Sequence, residues 1–449
     1  MSITSTVISL STEDILGLAK PIMIETNAII KRELIKEGKI VKIAKDLKAE
    51  EGATVVEAST KHLTAGIIDE HAHICISYGV NEATQESSAE VRIGDVINSE
   101  DINVYRQLAG GVTMAQLLHG SANPIGGQSA IVKFRWGKLP EQMKFEQAKG
   151  FIKFALGENV KQSNWGAQYS IRFPQTRMGV EQVYENYFTR AREYGEARKK
   201  LGDRLRRDLD LEAVLEILNK ERFITCHSYV QSEITMLMRV AERYNFRLNT
   251  FTHILEGYKI AGKLKKHGAG ASTFSDWWAY KYEVMDAIPY NAKILDDMGI
   301  VVAINSDNPE MGRRLNQEAA KGVKYGGMTD EAAWNMVSLN PAKLLQIDNY
   351  VGSIKVGKQA DLVLWSAHPL SVYARAEKTF VDGICYYDWK EDQLKRLDIQ
   401  KERARLVQKM LGLKEAGKPT QPVVHSHNIH YHCGNTGLNQ VDFLQGLDK

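Results

Sequence analysis

The sequence has no long apolar run and little cysteine. These two features argue against a membrane-spanning protein and against a disulfide-rich one. No stretch of the 449 residues is long and apolar enough to span a bilayer. The four cysteines, Cys75, Cys226, Cys385 and Cys433, lie far apart and form no CxxC pair, which argues against a disulfide scaffold. Residues 1–10 lack the basic start of a signal peptide. We therefore expect a cytoplasmic protein.

The sequence also lacks a strong excess of either charge. Lysine and arginine number 58 against 55 aspartates and glutamates, which gives a net charge of +3 and a pI near 8.4. The densest basic run, residues 190–207, also carries carboxylates and is typical of a solvated helix face. We therefore expect a small-molecule substrate, with neither nucleic acid nor membrane as a partner.

The centre of the chain alternates short apolar runs with longer helical stretches, starting at Gly66. Eight strands separated by helices predict a parallel sheet with βαβ crossovers, and eight is the number that closes a TIM (β/α)8 barrel. The fold class is therefore predicted to be α/β. The eight runs are Ile67–Ile68, Val112–Leu118, Ile131–Phe134, Phe151–Leu156, Phe223–Cys226, Leu248–Thr252, Gly268–Thr273 and Ile300–Ile304.

Both ends of the chain have a β pattern instead. Residues 39–43 alternate as a half-buried strand does, and residues 378–387 predict a hairpin with an Asp382-Gly383 turn. We predict one small composite β-sandwich built from residues 1–65 and 346–390, around a barrel of residues 66–345. A charged amphipathic helix is predicted over residues 389–413. Most of this helix and the tail after it make up the remaining part, residues 391–449.

Two histidines directly follow the first central strand. His71 and His73 are two residues apart, so in a strand their side chains face the same side. They lie at the carboxyl end of the strand, where TIM-barrel active sites are found. An HxH pair alone is weak evidence, and its placement is what gives it weight.

Four more polar residues recur at strand ends with the period of a barrel unit, about 30 residues. Lys153 falls on strand 4, His227 on strand 5, His253 on strand 6 and Asp307 on strand 8. A single strand-end histidine is more often structural, and Asp307 alone could cap the following helix, but the whole set is hard to explain that way. Nitrogen and carboxylate ligands suit zinc, with manganese, iron or cobalt as alternatives.

Two motifs carry a resemblance to a known family. Residues 66–73, GIIDEHAH, resemble the opening signature of the amidohydrolase superfamily, and residues 352–365, GSIKVGKQADLVLW, resemble its C-terminal signature. The chain is most similar to the imidazolonepropionase-like and prolidase-like members. The resemblance covers about residues 39–388; the first 35 residues match poorly, and Ala65 stands where the family has proline.

The resemblance implies a role for each candidate ligand. His71 and His73 would bind the more buried metal, His227 and His253 a second metal where one exists, and Asp307 would bind metal and move protons. Lys153 matches the lysine that is carboxylated in two-metal members. Glu158 is the alternative strand 4 ligand, and single-metal members use neither residue. Dimers in the superfamily suggest a homo-oligomer by analogy.

The expected reaction is hydrolysis of a C–N bond in a small amide or cyclic amide. Asp307 and His253 are the expected catalytic residues. Alternatives are a prolidase-like metallodipeptidase, a heterocycle deaminase and a non-catalytic barrel that serves assembly. A tail cluster of His425, His427, His430, His432 and Cys433 is interpreted as a packing tail rather than a metal site. Candidate substrate-binding residues in the loops are His119, Asn123, Gln128, Arg177 and Tyr229.

Overall fold

The computed structural model describes residues 22–26, 31–44, 47–77, 79–161, 172–277, 281–419 and 421. The tail cluster between His425 and Cys433 lies outside these residues. The strands in the described part are β1 (Ile22–Thr26), β2 (Lys31–Lys36), β3 (Lys39–Ala44), β4 (Thr54–Ala58), β5 (His62–Ala65), β6 (Ile67–Ala72), β7 (Val112–Leu117), β8 (Ile125–Gln128), β9 (Ala130–Lys133), β10 (Gly150–Ala155), β11 (Arg222–Ser228), β12 (Thr250–His253), β13 (Gly270–Thr273), β14 (Val302–Ile304), β15 (Leu362–Trp365), β16 (Ala376–Val381) and β17 (Ile384–Asp388).

Helices lie between most of the central strands and at the C-terminal side. None of those in the described ranges has the length and hydropathy to cross a membrane. The α-helices are α1 (Ile102–Ala109), α2 (Pro140–Met143), α3 (Arg177–Leu201), α4 (Leu209–Leu218), α5 (Gln231–Tyr244), α6 (Ala261–His267), α7 (Asn291–Asp297), α8 (Pro309–Gly312), α9 (Leu315–Gly326), α10 (Asp330–Asn335), α11 (Leu339–Leu344) and α12 (Trp389–Glu415).

The fold is a mixed α/β fold in which each of the eight predicted central runs overlaps a strand. Six strands form one sheet in the order β14-β13-β12-β11-β10-β8, and three form another in the order β6-β7-β9. No strand ladder among the described residues closes these two sheets into a barrel. At the seam between β14 and β6, the backbone N–H of Asp307 instead donates to the carbonyl of His71 at 3.1 Å.

The third central run is reversed, so the prediction of an all-parallel sheet was wrong at this position. This run lies in β9, and β8 comes just before it in the chain. β9 pairs antiparallel with β7, and β8 pairs antiparallel with β10. The connection from β7 to β8 is residues 118–124. Because a parallel crossover needs a dozen or more residues, a connection this short can only return the chain in the opposite direction.

Strands from both ends of the chain pair with each other. β5 runs antiparallel to β15, with Ala65 opposite Leu362, in a sheet of order β17-β16-β15-β5. The remaining N-terminal strands form a sheet of order β3-β2-β1-β4. The predicted turn between β16 and β17 has Asp382 and Gly383 at φ 50° and 74°, as a two-residue hairpin turn of type I′ requires.

Amphipathic helices cover the central strands. In α5 the residues Ile234, Leu237, Met238 and Ala241 are spaced i, i+3, i+4, i+7, and all four are fully buried or nearly so. This spacing places them on one face of the helix, where they join the main hydrophobic core. The packing holds the carboxyl ends of the strands in place, and those ends carry the candidate ligands.

Candidate metal centre

His71 and His73 form the centre of the site. His71 lies in β6 and His73 follows it, so the period-2 repeat of a strand turns both imidazoles toward the same point. Their Nε2 atoms are 3.1 Å apart and both rings are buried. Two ring nitrogens this close can both be ligands of one cation.

Asp307 completes a group of three. Its Oδ1 lies 3.3 Å from His71 Nε2 and 3.2 Å from His73 Nε2, and the ligand atoms of all three residues lie within 4.8 Å of one another. Asp307 has φ 51°, a left-handed conformation that costs a non-glycine residue energy and is common at functional sites. The alternative role considered for Asp307, capping the following helix, belongs to Asn308. The side chain of Asn308 accepts hydrogen bonds from the N–H groups of Glu310 and Met311.

The second ring nitrogen of each histidine is held from outside the centre. His73 Nδ1 lies 2.8 Å from the carbonyl oxygen of Leu118, and because a carbonyl only accepts, Nδ1 carries the proton. His71 Nδ1 lies 2.9 Å from the hydroxyl oxygen of Thr252. Such contacts orient metal-binding histidines and leave the Nε2 lone pair for a cation.

His227 and His253 lie beside this group. The ring centroids of His253 and His71 are 4.8 Å apart, as are those of His253 and His227. Within the described part of the chain, no ring nitrogen of His227 or His253 has a hydrogen-bond partner, although both side chains are completely buried. Buried polar atoms without a partner destabilise a fold, so these four nitrogens fit a bound cation far better than a purely structural role.

Burial keeps the imidazoles of His71, His227 and His253 neutral. It lowers the pKa of His71 and of His227 well below the usual value, and lowers that of His253 to about 3 against the opposing effect of Asp307. The contacts of Asp307 with His71 and His253 are therefore not ion pairs. Neutral imidazole is the form that binds metal, so near pH 7 these rings can bind a metal ion without first losing a proton.

Lys153 and Glu158 occupy different surroundings. Lys153, in β10, is completely buried, and its Nζ lies 3.0 Å from His71 Nε2. Glu158 is partly exposed and forms ion pairs with Lys161 at 2.9 Å and with Arg177 at 2.6 Å. Of the two candidate strand 4 ligands, only Lys153 lies at the histidine cluster.

Three of the candidate substrate-binding residues bind the backbone of the segment 79–92. His119 Nε2 accepts the N–H of Glu82 at 2.8 Å. The side-chain amides of Asn123 and Gln128 donate to carbonyl groups of the same segment at 2.7–2.9 Å. These residues therefore shape the mouth of the site by holding a loop.

Arg177, the first residue of α3, lies among three carboxylates. Its guanidinium contacts Glu158 at 2.6 Å, Glu283 at 3.6 Å, and Glu233. The sequence reasoning missed Glu233 and Glu283; the buried-face position of Glu233 in the first turn of α5 was the one available signal. The positive charge of Arg177 is therefore already balanced by these carboxylates.

Tyr229 lies between the histidines and a charged cleft. Its ring centroid is 4.6 Å from that of His227 and 5.6 Å from that of His253. The Nζ of Lys281 lies 4.2 Å from the Tyr229 ring centroid. Lys281 was not among the residues predicted from the sequence. A cleft of about 590 Å³ adjoins these groups, and the charged residues that line it are Glu158, Arg177, Glu256, Lys281, Glu283 and Asp286.

Comparison with known proteins supports the motifs found in the sequence. The Amidohydrolase family model matches residues 288–395. Amidohydrolase tasK of Hapsidospora irregularis is 28% identical over 392 residues, which make up 79% of this chain but 40% of that protein. The chain thus spans less than half the length of this relative.

Solved structures are similar over most of the chain. An amidohydrolase from Thermotoga maritima MSB8 has a TM-score of 0.75 and 28% identity, with coverage of 82% of this chain and all of that one. A putative prolidase from Bifidobacterium longum has a TM-score of 0.53 and 14% identity, with coverage of 82% and 95%, which shows a shared fold alone. The motifs, the family match and the Thermotoga structure agree, and over most of its length this chain is similar to amidohydrolases.

Proposed function

We propose that this chain is a metal-dependent hydrolase that cleaves the C–N bond of a small amide or cyclic amide. The observation that carries the proposal is the convergence of His71, His73 and Asp307, flanked by His227 and His253 with unpartnered ring nitrogens. Four buried imidazoles and one carboxylate around a single point have no comparable structural explanation.

The proposal includes the barrel architecture. The eight central strands would form one cylinder, whose seam is joined by the contact between Asp307 and His71 rather than by a ladder. The terminal sheets would form one sandwich, supported by the pairing of β5 with β15. All of the proposed ligands lie near or just past the carboxyl ends of strands, at one mouth of this cylinder.

The histidine nitrogens and the Asp307 carboxylate fit a divalent cation. We expect zinc, because imidazole nitrogen and carboxylate oxygen are among its usual ligands in proteins. His71, His73 and Asp307 would hold one ion. His227 and His253 would hold a second ion, and Lys153 in carboxylated form would be a further ligand. When bound, such a cation supplies an activated water for attack at neutral pH.

Asp307 and His253 would carry the proton and charge movements. Asp307 touches the Nε2 atoms of His71 and His73, so its carboxylate can take a proton from the attacking water and return it to the leaving nitrogen. His253 Nε2 lies 3.8 Å from Asp307 Oδ2, and where only one ion is bound this imidazole would stabilise charge on the carbonyl oxygen.

The cleft beside Tyr229 would hold the rest of the substrate. Tyr229 is the candidate substrate residue that lies against the histidines, while Arg177 lines the cleft as part of a charge cluster. His119, Asn123 and Gln128 would contribute indirectly, through the segment that they hold.

A prolidase-like metallodipeptidase is the second candidate, favoured by the mixed charge of the cleft. Lys281 and the carboxylates of Glu256 and Asp286 line the same space. A dipeptide carries one charge of each sign at its two ends and could be held between such groups. The two candidates use the same ligands and differ in substrate.

Metal analysis of the wild type and of Lys153→Ala tests the proposal. We expect two ions per chain in the wild type and fewer in Lys153→Ala, with Lys149→Ala, an exposed lysine just before β10, unchanged. A screen of N-acyl amino acids, dipeptides and cyclic imides would separate the candidates. A wild type that holds no metal after purification without chelators, and gains none when metal is added, would contradict the proposal.

A further inference from the structure

Polar side chains fill part of the interior below the metal centre, where a barrel usually has branched apolar ones. They come from six different strands or strand ends, and each is completely buried. These residues are Glu70, Gln116, Thr225, Thr252, Ser272 and Asn305.

Three of these residues form a chain of contacts that ends at His71. The hydroxyl oxygen of Thr252 lies 2.9 Å from His71 Nδ1. The side-chain amide of Asn305 lies 3.3 Å from the same oxygen and 2.9 Å from the hydroxyl of Ser272. The amide oxygen of Asn305 has no hydrogen-bond partner in the described part of the chain, although it is buried.

We propose that Thr252 and Asn305 are positioning residues that select the tautomer of His71 and thereby its ability to bind metal. The inference rests on the proposed metal site. His71 can offer Nε2 to a cation only when its proton is on Nδ1, and Nδ1 then has to donate to the Thr252 oxygen. The hydroxyl proton of Thr252 must then point away from His71.

The orientation of the Asn305 side-chain amide decides whether the Thr252 hydroxyl proton can point away from His71. With its NH₂ toward Thr252, the hydroxyl finds no acceptor on Asn305 and directs its proton at His71 Nδ1, which moves the imidazole proton to Nε2 and blocks the site. With the amide rotated by 180°, the unpartnered oxygen of Asn305 accepts the Thr252 hydroxyl proton, and the oxygen of Thr252 is free to accept from His71 Nδ1–H. The metal-binding form therefore requires the rotated amide. The change moves protons within neutral groups and alters no net charge.

The test uses Thr252→Val, which keeps the shape of the side chain and removes the hydroxyl, and Thr252→Ser, which keeps the hydroxyl. The control is Thr225→Val, because Thr225 is equally buried and its hydroxyl donates to Gln116 rather than to a histidine. Zinc dissociation constants are measured for each protein, and the tautomer of His71 is determined in metal-free protein from ¹⁵N shifts of labelled histidine.

We expect Thr252→Val to weaken zinc binding by roughly 10- to 100-fold and to change the tautomer population of His71. Thr252→Ser should stay within about threefold of the wild type, as should Thr225→Val. Asn305→Leu, which removes the acceptor, should behave like Thr252→Val.

Two outcomes would overturn the inference. One is zinc affinity in Thr252→Val equal to that of the wild type, and the other is a His71 tautomer that is the same in every variant. A wild type that binds no zinc would contradict the proposed function instead, and the tautomer measurement in metal-free protein would still decide the role of Thr252.

Discussion

The carboxylate of Asp69 accepts a hydrogen bond from the hydroxyl of Ser306 at 2.5 Å, across the seam between the first and last central strands. It also accepts the backbone N–H groups of Ser306 and His71, each at 3.2 Å. No ladder pairs β6 with β14 among the described strands, so these bonds connect the two. Asp69 thus fixes the position of Asp307 relative to His71 through the residues beside them.

Asp69→Asn is expected to loosen this seam. An amide presents an NH₂ group to donors that now share a carboxylate, so at least one buried hydrogen bond is lost, at a cost of about 1–3 kcal/mol in the free energy of unfolding. Urea unfolding measures this change, and bound metal per chain should fall with it. Asp95→Asn, at an exposed site, is the control. Unchanged stability and metal content would show that Asp69 does not hold the seam.

Asp307→Asn is expected to abolish most hydrolysis while the fold remains. An amide cannot take up a proton from the attacking water, and general acid–base groups contribute about 10²- to 10⁴-fold to rate. The value of kcat, measured on the best substrate of the screen, should fall by that factor, and His71→Ala should be inactive as well. The circular dichroism spectra should match that of the wild type. Substantial activity in Asp307→Asn would exclude the proton-transfer role.

His119 should make the protein sensitive to acid. Its Nε2 accepts the Glu82 N–H and its Nδ1 donates to the Gly120 carbonyl at 2.9 Å, so both bonds require the neutral ring. Burial lowers the pKa of His119 from 6.5 to about 4. Between these values the unfolded chain binds more protons than the folded one, so stability rises with pH up to about 6.5 and is lost as pH falls toward 4.

The loss attributable to His119 is up to about 3 kcal/mol at the acid end of this range. His119→Gln can donate and accept without titrating. The free energy of unfolding of this variant, measured by urea between pH 4 and 7, should therefore depend less steeply on pH than that of the wild type. Other buried histidines contribute equally to both proteins, so the difference isolates His119. Parallel curves would rule out its contribution.

Lys133 should be a large contributor to stability. It is completely buried in β9, and its Nζ contacts Asp361 at 2.9 Å and Asp382 at 2.5 Å, which joins the central strands to the C-terminal sheet. Lys133→Met leaves a buried carboxylate without its cation and is expected to cost about 3–5 kcal/mol in the free energy of unfolding.

The matched control is Lys199→Met, whose ion pair with Glu196 lies on an exposed helix face. It should cost between 0 and about 1 kcal/mol, because water screens exposed pairs. Thermal and urea unfolding measure both variants. Equal and small losses in the two variants would contradict a stabilising role for the buried pair.

The sequence alone determined the central strands and placed the candidate ligands near their ends. Apolar runs and the two-residue repeat of a strand are local properties, which is why His71 and His73 can be assigned to one point without knowledge of distant contacts. His227 and His253 are one βα unit apart, and His253 and Asp307 are two units apart, so the common mouth of these three residues could also be predicted. The family motifs added the expected division of roles.

The tertiary structure decided what depends on contacts between distant segments. The reversal of β8 and β9, the carboxylates around Arg177, and the contacts from Asn305 through Thr252 to His71 each join elements whose spacing carries no periodic signal. Glu233 looks like an ordinary helix residue in the sequence, and only the packing of α3 brings it and Glu283 to one guanidinium. Local repeats specify which way a side chain faces along its own strand or helix, whereas its neighbours across the fold are set by how the elements pack.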